Sequence, residues 1–100
     1  MATTSKALVR AAAATSVATL YTVPSSTTAV ITNIAVANGA GTAGTFTLLL
    51  DDVELHTTTP ISANTTVYID LKQVLAQNKT IKGFASATTI DFHISGVEIA

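Results

Sequence analysis

The sequence contains no cysteine and no tryptophan. Without cysteine there is no disulfide scaffold and no thiolate zinc site. Charge is equally scarce. Five basic and six acidic residues make 11% of the 100 positions, with a net charge of -1, against roughly 25% in an ordinary soluble domain. No basic stripe exists, so a nucleic-acid footprint is not expected. No apolar run approaches the roughly 20 residues of a membrane helix, so no membrane partner is expected either. Lys6 and Arg10 precede only Ala11–Ser16, a stretch too weakly apolar for a secretory core. A chain of this length buries roughly 64% of its unfolded surface, which allows one modest core and makes two domains implausible.

What is abundant is small and hydroxylic: Thr supplies 19 residues, Ala 17 and Ser 7. The 48% hydrophobic count therefore overstates the core, because Ala adds little area. Such a surface desolvates at low cost, since short hydroxyl side chains carry no charge and lose little rotamer entropy. It is also poorly protected against self-association.

Residues 1–16 lack a core-facing stripe. The four alanines Ala11–Ala14 favour helix by propensity, while the surrounding Thr and Ser oppose it. An arm, a short helix and an edge strand for a partner are all open; an extended N-terminal arm ordered by contacts is the preferred reading. From residue 17 to 100 the hydrophobic period is two, the mark of strands. Val17–Thr22 is one strand, ended by Pro24. Thr28–Asn38 is the next, with Val30, Ile34 and Val36 assigned to the core. Gly39, Gly41 and Gly44 mark a loop with positive φ available. It lacks the Gly-Lys-Ser/Thr ending of a phosphate loop. Thr45–Leu50 places Phe46, Leu48 and Leu50 on one face, and Asp51-Asp52 turns the chain. Val53–Leu55 begins a return, and 61–64 is a connection. Thr65–Leu71 alternates with Val67, Ile69 and Leu71 inward and Tyr68, Asp70 and Lys72 outward. Residues 72–78 read as a helical turn or crossing with Val74 and Leu75 tucked in. Thr80–Ala85 offers Ile81 and Phe84 to the core, and Thr89–Ile99 offers Ile90, Phe92 and Ile94. The parity change after Ser95-Gly96 predicts a β-bulge. Seven or eight short strands without a helical stripe predict an all-β single β-sandwich of jelly-roll or Greek-key type.

Catalytic and cofactor chemistry finds no constellation. His56 and His93 are 37 residues apart in the chain. Asp51, Asp52 and Glu54 do not have calcium-loop spacing. No Gly-x-Ser-x-Gly elbow occurs. No cofactor, no metal and no enzymatic activity are expected. A sugar platform is weakened by the lack of tryptophan, with Tyr21 and Tyr68 the only tyrosines. The Asn64-Thr65-Thr66 and Asn78-Lys79-Thr80 triplets read as turn residues.

Several stretches together resemble small β-sandwich virion structural proteins of tailed bacteriophages. They are Leu20–Asn38, Phe46-Thr47-Leu48 with its acidic turn, Thr59–Thr65 leading into an alternating strand, and the closing Ile94–Ile99. The resemblance spans residues 17–99. It implies a capsid decoration or cement protein that binds the major capsid protein on the outer surface of the virion and self-associates as a trimer or dimer. Assembly would take place in the host bacterial cytoplasm. A tail, neck or baseplate component is the alternative within that class; a glycan-binding sandwich module is the alternative outside it. The interface residues expected are Lys6, Leu8, Val9 and Arg10 of the arm, outward Tyr68, and Asp51 and Asp52 of the acidic turn.

Overall fold

A computed structural model describes residues 2–100. The chain is all-β, with eight strands: β1 (Thr3–Ala12), β2 (Ala18–Thr22), β3 (Thr28–Asn38), β4 (Gly44–Leu50), β5 (Val53–Ile61), β6 (Thr65–Leu75), β7 (Thr80–Ala85) and β8 (Ile90–Ile99). They form two four-stranded antiparallel sheets, ordered β1-β8-β3-β6 and β2-β7-β4-β5. Every connection crosses from one sheet to the other except β4–β5. The sheets face each other across one shared cluster of apolar side chains. Phe46 of β4 and Phe92 of β8 meet there edge to face, with ring centroids 6.4 Å apart, a favoured aromatic geometry. Ile34, Val36, Leu48, Ile61, Ile81, Ile90 and Ile94 fill the same layer and are almost wholly buried. Each such side chain contributes roughly 2 kcal/mol by leaving water. The body is elongated, 45 × 21 × 18 Å.

Residues 3–12, expected to stand apart as an arm, form the edge strand of the first sheet along β8. The reason is partly backbone pairing. Ala2 and Ala100 exchange both backbone hydrogen bonds, and the Ala13 N–H donates to the Ile90 carbonyl. Burial supplies the rest: Val9 and Ala13 are buried in the core.

Bulges in β1 and β3 shift which of their side chains face the core. The expected bulge in β8 lies instead on both its neighbours. Ala7 and Val9 oppose Ser95 and Ile94, so Leu8 is the extra residue of β1. Ile31 and Asn33 oppose Gly96 and Ser95, so Thr32 is the extra residue of β3. The extra residue reverses the alternation of β3. Ala29 and Ile31 are buried in its first half, and Val30 turns to the outer face. Gly96 sits between the two bulges. A Cβ there would lie 2.3 Å from the Val30 carbonyl oxygen and 3.1 Å from Leu8 Cδ1, so only glycine lets the three strands close.

Phe84 is half-buried on the outer side, because the β7–β4 ladder is regular and Ile81, Gly83 and Ala85 share the inner parity. Gly83 sits inside, where an added Cβ would meet Leu48 Cδ2 at 2.9 Å and the Thr47 carbonyl oxygen at 3.1 Å. Val67, Ile69 and Leu71 face inward but are only partly covered. Residues 72–75 continue β6 as strand. Leu75 is buried there, and Val74 is exposed. The return that begins at Val53 runs on as β5 through Ile61, the first residue of the expected connection. No glycine has positive φ; Ser26, Asp51, Asp52, Thr58, Asn64 and Asn78 do. The glycine loop is ordered by buried Asn38. Its Nδ2 donates to the Thr42 and Ser62 carbonyls at 2.9 and 3.2 Å, and its Oδ1 accepts from the Ala40 N–H at 3.1 Å.

Candidate functional site

Three polar groupings come together in this fold. The first joins the sheets at one end. In β2, Thr19 and Tyr21 oppose Lys82 and Ile81, so Leu20 is an extra residue and Tyr21 turns toward the core side. The Tyr21 hydroxyl donates to Glu98 Oε2 of the opposite sheet. Lys6 Nζ lies 3.3 Å from Glu98 Oε1. The hydrogen bond from Tyr21 first, then Lys6, holds the Glu98 carboxyl below its ordinary value against the opposing effect of burial. The Tyr21 hydroxyl is pushed upward by burial and by the adjacent carboxylate. A tyrosine held protonated donates and does not act as a base. The arrangement therefore fastens β1, β8 and β2 to one another.

The second grouping is the β4–β5 turn. Leu50 pairs with Val53, leaving Asp51 and Asp52 as a two-residue loop with φ of 54° and 61°. This is the turn whose twist suits a hairpin. Asp52 Oδ1 accepts from Lys82 Nζ at 2.6 Å, and Asp51 lies 3.5 Å from Lys79. Both carboxylates are thus answered by lysines of the same chain.

The third is the outer face of the first sheet. Strand register sets its side chains in transverse rows across β1, β8, β3 and β6. One row is Ala12, Asp91, Ala37 and Thr66; the next is Arg10, His93, Ala35 and Tyr68. Ala7, Ser95, Asn33 and Asp70 form a third, and Ser5, Val97, Val30 and Val74 a fourth. Apart from His93, only Arg10, Asp70 and Asp91 are ionisable on these rows. The bulge at Thr32 brings Val30 outward to join Val97 and Val74 in the fourth row, and the bulge at Leu8 does the same for Ser5.

The expected interface residues divide among these groupings. Arg10 and Tyr68 share one row of the outer face. Lys6 belongs to the inter-sheet tie, and Asp51 and Asp52 to the hairpin turn. Leu8 is half-buried beside Gly96. Val9 is buried, 5% exposed, and faces the chain's own core. Reading the arm without its bulge left both assigned to a partner. Val30 joins the outer face because Thr32 reverses the alternation of β3, and Val74 because residues 72–75 continue β6 as strand rather than turning.

His56 packs against Phe46 with centroids 5.7 Å apart, and its Nδ1 is 3.4 Å from Thr59 Oγ1. His93 stands on the outer face. Among the described residues no three His, Asp or Glu side chains cluster in a way that would hold a metal ion. Among the described residues no helix is long and apolar enough to cross a membrane. No protein-family model matches the chain, and a search of curated proteins finds no similar sequence.

Proposed function

We propose that the chain is a non-enzymatic structural subunit of a bacteriophage particle, a capsid decoration or cement protein that lies on the major capsid protein and stabilises the junctions between capsomers. The observation that carries this reading is the outer face of the first sheet. It is broad, and ten of the sixteen side chains in its four rows are Ala, Ser, Thr or Val, with Arg10, Asp70 and Asp91 spread among them. Covering the small uncharged side chains of such a face costs little polar desolvation, and its transverse rows offer many shallow contacts. The strand orders β1-β8-β3-β6 and β2-β7-β4-β5 support the finer reading of the fold as a jelly roll, an architecture frequent in viral capsid proteins. Repetition over many equivalent capsid sites makes weak single contacts durable.

The test is co-sedimentation with phage capsids, with electron microscopy to locate the bound protein. Saturable occupancy of the outer capsid surface is expected. Ala35→Glu, in the middle of the face, is expected to abolish it while the protein keeps its circular dichroism spectrum. Wild-type protein that fails to bind capsids, or Ala35→Glu that binds equally well, overturns the proposal. Removing residues 1–16 is a poorer test, because it strips an edge strand and uncovers β8.

A further inference from the structure

The first sheet ends on β1 and β6. An edge strand presents N–H and C=O groups that a further strand can pair. β6 is 11 residues long and contains neither proline nor glycine. Its outward side chains run Tyr68, Asp70, Lys72, Val74. Tyr68 is 72% exposed and Val74 67%. Among the described residues neither Asp70 nor Lys72 has an ion-pair partner. That order is self-complementary under two-fold rotation. The geometry points to a symmetric dimer in which β6 pairs antiparallel with β6 of a second copy, centred on Leu71, joining the two outer faces into one continuous sheet.

In that register each residue faces the one equally far from Leu71. Asp70 stands opposite the partner subunit's Lys72, and Lys72 opposite the partner subunit's Asp70. Tyr68 and Val74 meet in the same reciprocal way. Opposite charges and aromatic–β-branched pairs are the favoured cross-strand neighbours of an antiparallel ladder. A two-fold interface repeats each of them. The alternation of β6 keeps all four side chains on the outer face, so none has to leave the core. A shallow depression lined by Thr32, Asp70, Leu71 and Lys72 lies at the centre of the pairing. β1 lacks this complementarity. It carries Lys6 and Arg10 and no carboxylate, so a second β1 would bring only more positive charge. The inference does not rest on the capsid reading, since it concerns the free protein and needs no particle.

Sedimentation velocity of the full chain over a wide concentration range tests it. A reversible dimer is expected. Asp70→Lys places like charges opposite each other at two places and is expected to weaken dimerisation by about tenfold or more. Combining it with Lys72→Asp restores the complementarity and the dimer. Arg10→Glu on β1 leaves the dimer constant unchanged. Both β6 positions are exposed, and circular dichroism verifies the fold of each variant. Because the chain has no cysteine, Tyr68→Cys with Val74→Cys reports the register. The two positions lie about 20 Å apart within one strand but face each other between copies, so oxidation yields a covalent dimer. A wild-type protein that stays monomeric at every concentration overturns the inference. So does a dimer indifferent to Asp70→Lys, one disrupted by Arg10→Glu, or one that does not cross-link.

Discussion

β1 and β6 bound the same sheet and are nearly equal in length, yet they engage the molecule differently. β1 carries a bulge at Leu8, buries Val9, and holds Lys6 against Glu98. Its two cations and its broken alternation suit an edge protected against further pairing. β6 has its own register shift, where Leu71 and Lys72 together face Thr32, yet it leaves Tyr68, Val74 and a charge of each sign on the outside, neither charge having an ion-pair partner among the described residues. The contrast shows that a sheet edge is open or closed through its side-chain pattern and irregularities, since the backbone groups on offer are the same.

The sharpest way to break the contrast is at Gly96, where the bulges of β1 and β3 meet. Gly96→Ala drives a methyl group against a backbone carbonyl that cannot swing aside. A loss of about 3 kcal/mol or more is expected in urea unfolding. An alanine variant as stable as wild type would show that the strands need not approach so closely.

Val9→Ala comes next, at about 2 kcal/mol, because it empties a buried position of β1. Its effect separates a docked edge strand from a loose arm, which would lose nothing measurable.

The Glu98 tie is smaller and depends on pH. Its folded-state carboxyl titrates below the unfolded one. The stability it adds is therefore complete above the unfolded value and disappears as pH falls through the lower, folded value. About 1 kcal/mol at neutral pH is expected from the Tyr21 hydrogen bond, with little from half-exposed Lys6. The difference in unfolding free energy between wild type and Glu98→Gln should shrink on acidification below about pH 4.3. A difference constant down to pH 2 would remove the tie from the account.

The smallest effect belongs to β6. Tyr68→Ser is expected to change monomer stability by less than about 0.5 kcal/mol, as at most exposed sites. Measured at a concentration where the dimer forms, the same change should lower the thermal midpoint visibly, because association then contributes to stability. Equal effects at low and high concentration would mean that Tyr68 serves only its own sheet.

Much of this fold was legible as alternation. Phe46, Leu48, Leu50, Ile81, Ile90, Phe92 and Ile94 occupy the core because period two in a strand puts every second side chain on one face. The acidic pair at 51–52 marked a turn for an equally local reason, since Asp tolerates positive φ better than most residues. Val30 escapes the pattern because parity propagates only until an extra residue intervenes, here Thr32; Phe84 faces out because alternation continues through Gly83, and Val74 because the strand continues past Leu71. Neither Leu8 nor Thr32 is a residue type that marks a bulge. The glycines misled in a similar way. Gly83 and Gly96 serve close approach between strands, while Asp, Asn, Ser and Thr take the left-handed positions. Of the candidate sites, the outward position of Tyr68, Asp70 and Lys72 was readable within one strand. Their place in a wider face was not, because the neighbours come from β3, β8 and β1.

The sequence by itself determined the class of structure: no disulfides, little charge, strands throughout, and enough Val, Ile, Leu and Phe for one core between two sheets. These follow from composition and local periodicity, which need no knowledge of what lies opposite. Tertiary structure alone decided which strands became edges, where the bulges fell, and that residues 3–12 close the first sheet. Those outcomes depend on register between segments far apart in the chain. At Gly96 the Val30 carbonyl leaves no room for a Cβ, so the observed register depends on a residue whose role appears only when the strands are brought together.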